Sequence, residues 1–250
     1  MKPMYLIKIL LIIAMIAAVS GCLSEKPKDN KPVEITVSAA ISLQDALKDI
    51  GMEYQKNHPE LKIYFNFGAS GTLEKQIEQG APVDVFASAS QNEMDQLEEK
   101  GLIINSTRTN FTRNKLVIIA PSRITVEELK SLDKIAIGNP KTVPAGLYAQ
   151  AFLENIGIYE TLKSRLIYAE NVRQVLDYVE RGEVDAGFVY FSDTLKSNLS
   201  VSSINDSMYP PVVYPVAVIQ DSREPGISGL FIEYIKSDEG QTILHKHGFV

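Results

Sequence analysis

From Glu34 onward, short apolar runs of strand character alternate with stretches of helical period, and this alternation constrains the fold more than any other feature of the chain. The pattern predicts strands at Glu34–Ser38, Lys62–Phe67, Val83–Ala87, Lys115–Ala120, Lys134–Ile137, Arg165–Tyr168, Ala186–Tyr190 and Val213–Ile219. Between and after them it predicts helices at Leu43–Asn57, Thr72–Gln79, Gln91–Lys100, Gly146–Asn155, Val172–Arg181 and Ser228–Ser237, with a short last helix at Asp238–His245. Strands joined through helices run parallel, so an α/β protein is expected, with mostly parallel sheets flanked by helices on both faces. Residues 34–100 read βαβαβα and residues 115–190 repeat the alternation. Two lobes of about 100 residues each account for that length. Polar residues at Asn110–Asn114 mark one boundary, and the cluster of Pro210, Pro211 and Pro215 marks a second switch.

The first residues read as a targeting segment. Lys2 and Lys8 precede an apolar run, Ile9–Val19, and Val19-Ser20-Gly21-Cys22 follows. That tetrapeptide resembles a lipobox, in which a signal peptide (residues 1–21) is cut before a cysteine that carries lipid. Cys22 is the only cysteine among the 250 residues, so no disulfide framework competes for it. The alternative is an uncleaved signal anchor. Residues 22–32 then read as a polar tether, and the expected location is the outer face of the cytoplasmic membrane, lipid-anchored. Net charge is −6, and losing Lys2 and Lys8 makes it −8. With no cluster of Lys and Arg, a nucleic-acid groove is not expected.

In open α/β sheets, ligands bind beyond the carboxyl ends of strands, at helix starts. Four such junctions stand out. Ser42 occupies an N-cap position, with Asp45 three residues on in a weak capping box. Gly68-Ala69-Ser70-Gly71 puts four small residues between a strand and a helix. Pro144 suits the first helical position, and Asn171 suits an N-cap. Helix starts leave backbone N–H groups unpaired and carry positive potential. Several converging starts would hold a dianion without a lysine or arginine. Capped helix starts also occur throughout α/β proteins, so the pattern alone favours a structural reading of any one of them.

The strings SAAISLQDAL, FGASGTLEKQIEQGAPVDVFASA, NPKTVPAGLYA, AENVRQVLDYVERGE, GFVYFSDT, YPVAVI and HKHGFV resemble the periplasmic molybdate-binding proteins of ABC transporters, in order, over residues 34–250. The resemblance implies a two-lobed periplasmic-binding-protein fold (type II) whose chain crosses twice between lobes. Residues 33–112 and 212–250 would form lobe I, and residues 113–211 lobe II. Carried over residue by residue, Ser42 and Ser70 would donate from N–H and hydroxyl, Ala145 and Val172 from backbone N–H, and Tyr190 from its hydroxyl. The second junction is poorer in serine than the family often shows, which leaves Ser70 its only hydroxyl before Thr72. No carboxylates for a higher-coordinate metal branch are placed. No cofactor is implied, and no metal held directly by side chains. The expected partners are a permease with its ATPase and the membrane through Cys22, with the binding protein itself a monomer.

Molybdate and tungstate are fully deprotonated dianions near neutral pH, so a donor-only cleft suits them. Hydrogenphosphate would turn its own proton against donors, at about 1–3 kcal/mol. Sulfate is also a proton-free dianion and remains the alternative ligand. Enzymatic readings fit poorly. The nucleophile-elbow pattern needs Gly at position 72, where Thr stands, and no Gly-Lys-Ser/Thr follows to make a phosphate loop.

Overall fold

The computed structural model describes residues 32–250. The signal segment, the lipid site at Cys22 and nearly all of the tether lie outside the described residues. Two five-stranded sheets carry the fold. The first contains β1 (Val33–Ala40), β2 (Leu61–Gly68), β3 (Val85–Ala87), β4 (Thr109–Asn114) and β10 (Val212–Val218), in spatial order β2-β1-β3-β10-β4. The second contains β5 (Leu116–Ala120), β6 (Ile135–Gly138), β7 (Leu166–Ala169), β8 (Ala186–Tyr190) and β9 (Ser200–Ser203), in spatial order β7-β6-β8-β5-β9.

Each sheet is mixed. β1 pairs parallel with β2 and β3, and β6 pairs parallel with β7 and β8. Beyond these parallel cores, β10 runs antiparallel to β3 and β4, and β5 runs antiparallel to β8 and β9. The helix-linked strands are the parallel ones, as the alternation implies. The strands that arrive from the other sheet, β5 and β10, enter in the opposite sense.

The chain crosses between sheets twice. Lys115 alone separates β4 from β5, and residues 204–211 lead from β9 back to β10. The two crossings are tied together, because the Leu116 N–H donates to the Tyr209 hydroxyl at 3.1 Å. Asn110–Asn114, read from sequence as a polar boundary, lies within a strand, Thr109–Asn114, and Ser200–Ser203 is a strand too. Both lie at sheet edges. Their sequences, TNFTRN and SVSS, carry one apolar residue each and so lack the apolar pattern that makes the other edge strands, β2 and β7, legible.

The helices are α1 (Gln44–Asn57), α2 (Ser70–Glu78), α3 (Gln91–Glu99), α4 (Pro144–Asn155), α5 (Tyr159–Leu162), α6 (Val172–Glu180), α7 (Phe191–Thr194), α8 (Pro225–Lys236) and α9 (Asp238–Lys246). α2 and α3 cover one face of the first sheet, burying Leu73, Ile77, Met94 and Leu97 against Phe86. α1, α8 and α9 pack together on that sheet's other side. In the second sheet, Val175 and Val179 of α6 lie over Gly187, while the next residue, Phe188, meets Phe152 of α4 at 6.0 Å. Successive strand residues point to opposite faces, so α4 and α6 flank the sheet on its two sides.

Gly146, in the first turn of α4, is packed so closely that a Cβ there would overlap the Gly138 carbonyl at the end of β6. This contact seats the start of α4 directly on the strand end. Gly146→Ala is therefore expected to destabilise the protein by at least about 2 kcal/mol, overpacking outweighing the helix-propensity gain. Gly229→Ala, in α8 with open space around it, is expected to stabilise by about 0.5–1 kcal/mol. Urea unfolding of both variants measures the pair, and equal midpoints would contradict the packing described.

Candidate functional site

The carboxyl ends of β1, β2, β6, β7 and β8 converge on one cleft between the sheets. Ser42, Ser70, Ala145, Val172 and Tyr190, each singled out in the sequence, all line it and all are buried. About 210 Å³ of space, part of it open to solvent, lies between the cleft's walls, and among the described residues no charged side chain lines it. A larger hollow, about 940 Å³ by the same measure, opens beside Asp84 at the opposite ends of β1 and β3. There the Asp84 carboxylate is fully engaged by the Thr36 N–H (2.8 Å), the Ser222 hydroxyl (2.7 Å) and the Arg223 N–H (3.1 Å). The smaller cleft is the better candidate because it sits at strand carboxyl ends and holds an unpaired polar group.

Two helix starts follow the sequence reading. Pro144 is the first residue of α4, and Asn171 caps α6 by accepting from the Gln174 N–H at 3.0 Å. The N–H groups of Ala145 and Val172 lie in first helical turns, where no carbonyl precedes them in the helix. Neither has a hydrogen-bond partner among the described residues.

The other two starts differ from it. Ser42 is not an N-cap, and no capping box forms. A 3-10 turn, Ile41–Leu43, intervenes between β1 and α1, and Ala40 and Leu43 occupy the cap positions without side-chain bonds. The turn directs the Ser42 hydroxyl to the Tyr214 hydroxyl, 3.0 Å away. α2 begins two residues earlier than the pattern suggested, so Ser70 is its first residue and Ala69 its cap. The Ser70 Oγ accepts from the Ala89 N–H at 3.0 Å.

Tyr190 ends β8 with its ring buried and its hydroxyl without a hydrogen-bond partner among the described residues. Burial, with Tyr214 and Tyr148 nearby, pushes its ionisation well above the ordinary tyrosine range. It is a neutral donor throughout the physiological pH range.

Contacts between the lobes surround the cleft. The Gly71 N–H donates to the Thr142 carbonyl at 3.0 Å, and a Cβ on Gly71 would sit only 2.9 Å from that oxygen. The small residue at position 71 thus answers to the opposite lobe. At the rim, Asp45 of α1 meets Lys196 at 3.0 Å and Arg173 of α6 at 3.4 Å. Burial pushes the Asp45 carboxyl up, but Lys196 and Arg173 outweigh it and hold the group below its usual range. Arg173 Nε also lies 2.9 Å from Asp193 Oδ1, off the line of a good hydrogen bond. Of these charged residues the sequence singled out Asp45 alone, and as a capping residue rather than an ion-pair partner. Lys196 and Asp45 are 151 residues apart, and no spacing rule links them. The C-terminal His247 pairs with Asp49 of α1 at 2.8 Å.

Burial raises the Asp193 carboxyl from 3.8 to about 6, with Arg173 pulling it partly back. A raised folded value means the folded chain keeps this proton longer than the unfolded chain. Between pH 3.8 and about 6, this group's contribution to stability therefore falls as pH rises. Above that window it is constant. Asp193→Asn removes the term, so the stability difference between wild type and variant is expected to change by on the order of 3 kcal/mol across the window. Urea unfolding at a series of pH values checks this, and parallel curves would contradict it.

Residues 35–250 match a protein family described as bacterial extracellular solute-binding protein. The chain is 37% identical over 241 residues to a putative ABC transporter substrate-binding lipoprotein, YvgL, of Bacillus subtilis, covering 92% of each. It is 36% identical over 233 residues to the molybdate-binding protein ModA of Haemophilus influenzae, covering 86% of this chain and 89% of that one. Among solved structures, the substrate binding domain of a putative molybdenum ABC transporter from Clostridium difficile superposes with a TM-score of 0.69 at 39% identity. That match covers 87% of this chain and 98% of that one.

Proposed function

The chain belongs to the bacterial extracellular solute-binding proteins, and from that premise we propose that it captures molybdate, tungstate or both between its lobes and delivers the anion to an ABC importer. One observation carries this reading: a buried Tyr190 hydroxyl with no partner among the described residues, in a cleft that no charged side chain lines. A buried donor left unmade costs about 1–3 kcal/mol. An anion that only accepts hydrogen bonds removes that cost, and hydrogen bonds to a charged group are worth about 1.5–3 kcal/mol each. The similarity to a molybdate-binding relative points to the same class of anion.

The proposed ligand set is Ser42, Ser70 and Tyr190 through their hydroxyls, and Ala145 and Val172 through backbone N–H groups, with the serines' N–H groups added. Helix starts supply the positive potential that a lysine would otherwise provide. The moving bodies proposed are residues 33–112 with 212–250, and residues 113–211. Ligand donors come from both, so the set is complete only when they meet. The Gly71–Thr142 bond and the Asp45 ion pairs would hold that meeting, and opening would release the anion to a permease with its ATPase. No cofactor enters, and the binding protein acts as a monomer. Sulfate meets the same donor-only requirement and is the competing ligand to test.

In a thermal-shift series with molybdate, tungstate, sulfate and phosphate, a ligand at about 1,000 times its Kd adds about 4 kcal/mol. For a folded domain of this size that raises Tm by roughly 8–16 °C. Molybdate or tungstate is expected to give the largest shift, and a shift with sulfate alone would replace the reading. Tyr190→Phe is expected to weaken binding by about 10–150-fold while leaving the unliganded protein equally or more stable, since the orphaned hydroxyl is gone.

We also propose that cleavage before Cys22 leaves a lipid-anchored chain on the outer face of the cytoplasmic membrane, held off by the tether. YvgL, the lipoprotein relative, supports this. Mass spectrometry of protein from native membranes is expected to find lipidated Cys22 at the N-terminus; a chain still carrying Met1 would identify an uncleaved anchor instead.

A further inference from the structure

We propose that Tyr214 is a positioning residue that turns the Ser42 proton into the cleft, so that Ser42 only donates to the anion and protonated oxyanions are refused. The inference rests on the reading above, in which Ser42 meets the ligand. Tyr214 is fully buried in β10, beside the bulge at Pro215, and its hydroxyl lies 3.0 Å from Ser42 Oγ. Two hydroxyls at that distance share one proton, and either can donate. If Ser42 donated to Tyr214, its proton would be lost to the ligand.

Asn114 and the burial of Tyr214 together favour one direction. Its Oδ1 accepts from the Lys115 N–H at 2.9 Å, which turns its amide nitrogen the other way. That nitrogen donates to Ser192 Oγ at 2.8 Å and reaches the Tyr214 hydroxyl at 3.5 Å. An amide nitrogen carries only donors, so the Tyr214 oxygen accepts there. Among the described residues Ser42 Oγ is the only other group within reach of the Tyr214 hydroxyl, so the buried phenolic proton is satisfied only by donating to Ser42. A second argument agrees: of a phenol and an alcohol, the phenol is the stronger acid and the better donor. The chain of donors runs Asn114 to Tyr214 to Ser42 to the cleft.

Ser70 reaches the same state by another route. The Ala89 N–H occupies an acceptor position on its oxygen, and the hydroxyl proton remains free to donate to a ligand in the cleft. Ser70 is held by backbone, whereas Ser42 is held by a side chain that mutation can remove. The relay also starts where the lobes join. Asn114 is the last residue before the first crossing, and its partner Ser192 belongs to α7 of the second lobe.

The test is a double-mutant cycle by calorimetric titration on the whole chain, comparing wild type, Tyr214→Phe, Ser42→Ala and the double variant. Molybdate, sulfate and hydrogenphosphate are titrated at about pH 8, where phosphate still holds one proton. Thermal melts of the unliganded proteins establish folding. Tyr214→Phe is expected to weaken molybdate and sulfate about 10-fold. It should weaken hydrogenphosphate less, because Ser42 regains the freedom to accept, so the selectivity ratio narrows by about 5-fold or more. In the Ser42→Ala background, Tyr214→Phe should have no further effect. A merely structural role would lower all three anions equally and add to Ser42→Ala, and that result overturns the proposal, as does wild-type affinity in Tyr214→Phe. If that variant does not fold, Asn114→Asp replaces it. A carboxylate accepts from Tyr214 and reverses the relay, so the same loss and the same narrowing are expected. Wild type binding none of the anions, or Ser42→Ala binding as wild type, overturns the ligand reading itself, and the relay falls with it.

Discussion

A buried donor without an acceptor is the constraint on which the rest of this structure turns. Tyr190 places a hydroxyl in the interior with no partner among the described residues, next to helix starts whose N–H groups are also unpaired. Such an arrangement is unfavourable in isolation and becomes favourable when an acceptor sits between them, and a guest that accepts without donating leaves no proton of its own facing those donors. The absence of lysine and arginine from the cleft wall follows the same logic. A fixed cation would hold an anion tightly in an open lobe, whereas neutral donors split between two lobes hold it well only together.

The fold supplies that split. Parallel strands joined through helices bring helix starts to one end of each sheet, and the two crossings bring those ends face to face. Close packing sharpens the placement. Gly146 lets α4 sit on the end of β6, and Gly71 lets the first lobe's junction reach the Thr142 carbonyl of the second. Around this neutral centre the charges are kept to the rim, where Asp45 bridges to Lys196 and Arg173. The charged groups thus join lobe to lobe, and the uncharged ones are left for the guest.

Much of the fold was legible along the chain because it rests on local rules. Strand and helix periods located the interior strands and the edge strands β2 and β7, whereas β4 and β9 escaped because each carries a single apolar residue. Pro144 and Asn171 stand where capping chemistry puts them. Ser42 does not, since a 3-10 turn that no propensity rule anticipates moved it from a cap to a buried hydroxyl pair. Of the five cleft residues, the junction positions were visible as strand ends. Tyr190 entered only through resemblance, because nothing local distinguishes a tyrosine with an unmet hydroxyl from one with a partner.

What the sequence by itself determined is the α/β alternation and the short junctions at Ser42, Ser70, Ala145 and Val172. These are properties of neighbouring residues, and neighbouring residues share their physics within a turn or a strand. What only the tertiary structure decided is which groups meet: Ser42 with Tyr214 across 172 residues, Asp45 with Arg173 across 128, and Tyr190 with nothing among the described residues. Hydrogen bonds and their absence depend on positions to within a fraction of an ångström, and those positions exist only once both sheets are packed.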